Sequence, residues 1–77
     1  MLIDVRGLSH PEHLKEFRRH LDGLCTVHAD VDVLLDNNRE DLKKFEMFVR
    51  SCRGKYTVTE EGDYLRMKIE GHFSMCG

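Results

Sequence analysis

Apolar and polar positions follow two rhythms along this chain, one of period two and one near 3.6, separated by Gly, Pro, Asn and Asp. Residues 2 to 5 (Leu-Ile-Asp-Val) are a brief apolar run ended by Arg6-Gly7, which predicts a first strand with Ile3 and Val5 on one face. Ser9 followed by Glu12 matches a capping box, and Pro11 suits a first helical turn that needs no amide from it. Leu14, Phe17 and Leu21 then recur at helical spacing, with Lys15, Glu16, Arg18 and Arg19 on the outer face and Asp22-Gly23 as a stop. From Val27 to Asp36 the alternation is nearly unbroken, with Val27, Ala29, Val31, Val33 and Leu35 against His28, Asp30, Asp32 and Asp36; only Leu34 departs from it. That pattern predicts one strand buried on one face.

Asn38 with Asp41 offers a second cap, followed by a stripe of Leu42, Phe45, Phe48, Val49 and Cys52. Arg50, Arg53 and Lys55 fall near the negative end of that helix dipole. Tyr56 to Glu60 and Tyr64 to Ile69 are two period-two runs about Glu61-Gly62-Asp63, a β-hairpin signal. The predicted order is βαβαββ. Its apolar stripes and faces are all satisfied by an α+β two-layer sandwich, a four-stranded mixed sheet with both helices packed on one face. The other face would carry Asp4, His28, Asp30, Asp32, Thr57, Arg66 and Lys68, a set suited to cross-strand charge pairing.

At 77 residues the chain has room for one domain, taken as residues 1–71, with 72–77 as a flexible tail. A chain this small hides only about 60% of the surface it exposes when unfolded, so any site is expected at the surface. Twelve basic against fourteen acidic residues, a net of −2, provide no field to gather phosphates. Arg50, Arg53 and Lys55 with Tyr56 make only a small basic cluster, so nucleic acid is not an expected partner. No apolar run approaches the roughly 18 residues a bilayer needs, and the start MLIDVRG lacks a basic flank and apolar stretch. A cytoplasmic protein with no membrane partner is expected, as a monomer or weak dimer.

The run Asp4-Val5-Arg6-Gly7-Leu8-Ser9-His10-Pro11-Glu12 resembles the signature of the TusA/SirA-type small sulfur carriers. That signature reads Asp, any residue, Arg-Gly-Leu, any residue, Cys-Pro-any-Pro between first strand and first helix. The predicted element order is similar over the whole chain, and Asp36-Asn37 falls where the family has its Asp-rich turn. The resemblance implies the fold and a place in or near sulfur (or selenium) trafficking, beside a sulfur-relay protein partner and with no cofactor. The chemistry departs from the family. His10 stands where the family carries its persulfide cysteine, and His13 where its second proline falls. A thiol at a helix amino terminus is stabilised as thiolate by oriented amides and the dipole, whereas imidazole cannot hold a persulfide.

The expected binding corner is therefore Arg6, Gly7, Ser9, His10, Pro11, Glu12 and His13, where a helix start would offer free amides to an anion or a partner's acidic group. His10, as a neutral ring, is open to three roles: metal ligand, general base or plain hydrogen-bonding residue. His10 and His13 are the candidate metal pair, a weak one, because a closed zinc site wants four ligands. Gly7 can simply supply a positive φ for the turn, and Arg6 can pair with Asp4 or Glu12 or line the corner. Cys52 falls in an apolar stripe and suits the core, Cys25 sits in a loop with no assigned role, and no disulfide framework is expected. Cys76, one residue from the end with His72 nearby, is the alternative sulfur acceptor. Three functions compete: a docking module that carries no persulfide at His10, a carrier with its thiol relocated to Cys76, and a small histidine- or metal-dependent protein.

Overall fold

The structure, a computed structural model, describes residues 1–75. In chain order the elements are β1 (Leu2–Asp4), α1 (Glu12–His20), β2 (Thr26–Val27), β3 (Val31–Asp36), α2 (Arg39–Ser51), β4 (Tyr56–Glu60), β5 (Tyr64–Ile69) and β6 (Phe73–Ser74). The α+β class and the four-stranded mixed sheet are as expected: the order is β1-β3-β5-β4, with β1 parallel to β3 and the other pairs antiparallel. Its inward face presents Ile3, Val33, Leu35, Leu65, Met67 and Ile69 to Phe17 and Leu21 of the first helical segment and Phe45 and Val49 of α2, all of them buried. Phe17 and Phe45 meet edge to face with centroids 5.1 Å apart. Burying each such ring stabilises the fold by about 2–3 kcal/mol, and the edge contact adds to that.

The strand expected over residues 27 to 36 is two strands. Thr26–Val27 leave the main sheet and pair antiparallel with Phe73–Ser74, and the chain turns at 28–30 before Val31. Val27 and Val31 are both buried, but Ala29, expected on the same face, is exposed in the turn between them; the apolar period in the sequence runs across the break and does not reveal the change of partner strand. His28 and Asp30 consequently lie in a loop instead of on the open sheet face. That face does hold the expected cross-strand pairing: Arg66 donates to Asp32 at 3.0 Å.

The tail expected at 72–77 is also corrected for the residues described. Phe73 is buried, Met75 packs on the core, and the Ser74 amide donates to the Cys52 carbonyl at 3.0 Å. A buried phenylalanine outweighs the flexibility that the flanking glycine suggests. Residues 76 and 77, Cys76 among them, lie outside the described residues.

Helix starts divide similarly. Asn38 caps α2 as expected, its side-chain oxygen accepting from the amides of Glu40 and Asp41. The Ser9–Glu12 capping box does not form: Pro11 occupies the cap position without a side-chain bond, and the Ser9 carbonyl, not its hydroxyl, accepts from Glu12 and His13. The His10–Pro11 peptide is cis.

Candidate functional site

Four separate pieces of chain converge at the expected corner: the end of β1, the end of β3, the start of α1 and the start of α2. Gly7 turns the chain out of β1 with φ of 85°, a left-handed conformation that a side chain disfavours, although a Cβ there would meet nothing. Its amide donates to the Asp36 carboxylate at 2.8 Å, and the His10 amide donates to the Asp41 carboxylate at 3.1 Å. The Arg6 amide reaches Asp4, that of Leu8 reaches the Val5 carbonyl, those of Glu12 and His13 reach Ser9, and that of Leu14 reaches Pro11. The amides of Gly7, Leu8 and His10, expected to await an anion, are thus engaged within the chain. Asp36 and Asp41 stand where an external anion would, and their own charge opposes one.

Arg6 resolves in favour of Asp4. Its guanidinium donates two bonds to that carboxylate, at 3.0 and 2.8 Å, and lies 4.9 Å from the centre of the Tyr64 ring. The Arg6 hydrogen bonds hold the Asp4 carboxyl below the usual carboxylate range, and Asp4 in turn raises Arg6. Both side chains stay roughly half exposed, so the pair presents a rigid, wetted charge pattern at the corner.

The two corner histidines meet edge to face, with ring centroids 5.5 Å apart, but differ in burial. His10 is exposed, whereas His13 is only 1% exposed, with its ring edge-on to Phe45 at 5.4 Å. His13 Nε2 lies 3.0 Å from the Asp41 carbonyl oxygen, which can only accept, so Nε2 carries the proton and donates. Its Nδ1 is buried without a partner. A metal pair from His10 and His13 is therefore not assembled: one nitrogen of His13 is spent on the helix contact and the other is enclosed. The helical spacing that places two residues on one side of a first turn does not say which of them faces inward. Asp41 ties α2 to the first helix and the loop that leads into it, by carbonyl to His13 and by carboxylate to the His10 amide.

Ser9, Pro11 and Glu12 are exposed at the rim; Glu12 is within 3.8 Å of Lys15. Sequence reasoning missed Asp36, Asp41 and Tyr64 as members of this corner. Their signals were positional: Asp36 ends a strand parallel to β1, Tyr64 is its cross-strand partner, and Asp41 lies in the first turn of the second helix.

The thiols lie elsewhere. Cys52 is buried and free, and burial pushes its thiol up, as suits a core residue. Cys25, a loop residue with no assigned role, is disulfide-bonded, which corrects the expectation that the chain has no disulfide. It lines a surface cavity of about 290 Å³ together with Arg18, Leu21, Leu24 and Met75, none of them a corner residue. Among the described residues no helix is long and apolar enough to cross a membrane.

Comparison with protein-family models, with curated proteins and with solved structures finds no match to this chain.

Proposed function

We infer that this chain is a docking module of TusA/SirA type, working in or near sulfur (or selenium) trafficking. It engages a protein partner through the corner at residues 6–13 and carries no persulfide there. The observation that carries this reading is the internal engagement of the corner: Gly7 and His10 donate to Asp36 and Asp41, while the side chains of Arg6, His10 and Glu12 face solvent. Such a corner favours recognition by side chains and shape over capture of a small anion. It has no thiol at the helix start, so the step that defines a carrier, formation of an S–S bond on a cysteine there, has no acceptor.

The test is incubation of the full chain with a cysteine desulfurase and isotopically labelled cysteine, read by intact mass. The mass is expected to stay unchanged. A stoichiometric gain of sulfur overturns the reading. If that gain disappears in Cys76→Ser and persists in His10→Ala, the relocated carrier replaces it. Docking itself is read from amide chemical shifts on adding the desulfurase or its acceptor: perturbations should centre on residues 6–13 and weaken in Arg6→Ala and His10→Ala.

A further inference from the structure

Two histidines outside the corner are brought together by the short second sheet. Val27 and Phe73 are Cα partners in the β2–β6 ladder, so one further step of that antiparallel register sets His28 opposite His72. The His72 amide donates to the Val27 carbonyl at 2.8 Å, and the two imidazole centroids lie 4.9 Å apart with planes at 86°. Both residues are exposed, and no hydrogen bond or ion pair engages either ring among the described residues. Their backbones are held on both sides. The Asp30 carboxylate takes the Gly71 amide at 2.8 Å, buried Phe73 anchors the next position, and His72 is kept at φ of 66°, a conformation unusual for a side chain.

We propose that His28 and His72 form an open two-nitrogen chelate for a divalent zinc-type ion, which clasps β6 to β2. Imidazole nitrogens bind such ions at about 2.0–2.1 Å, so two on one ion stand roughly 3 Å apart. Ring centroids 4.9 Å apart put the two imidazoles within the range that such a shared ion spans. No group of three or more His, Cys, Asp or Glu suited to a metal is present among the described residues, so water completes the coordination sphere. The ion joins residues far apart in sequence, and its chemistry is that of a clasp on the chain's last described strand.

Zinc chloride titrated into the full chain, followed by imidazole NMR signals of its five histidines, tests this. His28 and His72 are expected to shift together and saturate at one zinc per chain while His13 stays still. His28→Ala and His72→Ala should each weaken binding about tenfold or more, because a single imidazole loses the chelate advantage. At zinc ten times above its dissociation constant, exchange of the His72 amide should slow about tenfold, since opening must first release the ion. Equal affinity in the wild type and both variants overturns the proposal, as does saturation first at His10 or His20, or unchanged exchange of the His72 amide.

Discussion

Asp41 and His13 show how much one pair of residues can fix. Replacing His13 by Ala removes a buried ring and its bond to the Asp41 carbonyl, and should cost about 3 kcal/mol in urea unfolding. Asp41→Asn keeps shape and an acceptor oxygen for the His10 amide and should cost about 1 kcal/mol or less. The order of the two effects is the test: equal costs contradict the geometry. On the exposed face of α1, hydrogen bonding from Arg19 lowers the Glu16 carboxyl from 4.5 to about 2. The depressed value means that Glu16 contributes stability fully above pH of about 4.5, and loses it as pH falls towards 2. Solvent screens this exposed pair, so the effect on unfolding is small and the titration itself is the readout. In Arg19→Ala the Glu16 carboxyl signal should titrate at higher pH than in the wild type.

Among the elements, the strands and helices with a single apolar face were legible in the sequence: the hairpin at 56–69, the second helix with its Asn38 cap, and the first strand all fall where periodicity places them. Asn38→Ala should cost about 1 kcal/mol, the worth of an ordinary cap. Periodicity failed where identity of the partner mattered. Thr26–Val27 and Val31–Asp36 share a rhythm but belong to different sheets, and Phe73 was one apolar residue in a glycine-flanked end. Only three-dimensional pairing reveals that Phe73 closes the core, and Phe73→Ala should cost about 3–4 kcal/mol, read as a lowered denaturation midpoint with unchanged slope. A cost below about 1 kcal/mol would mean that the strand is dispensable.

Over the whole molecule, the corner is a product of topology. Parallel pairing of β1 with β3 brings Asp36 to Gly7, and packing of the two helices brings Asp41 to His10 and His13. The sequence placed the right segment, residues 6–13, at the strand-to-helix junction. It did not reveal that carboxylates some thirty positions away would occupy the amides, because local spacing carries no information on contacts of that range. The function proposed above rests on the claim that this corner, with His10 where the resembling signature has a thiol, docks a partner through its side chains and does not capture a small anion. Titration of the full chain with inorganic sulfate, followed at the Gly7 and His10 amide signals, tests that claim most directly. The account predicts small, linear, non-saturating shifts at both amides; saturable binding centred on them would contradict it.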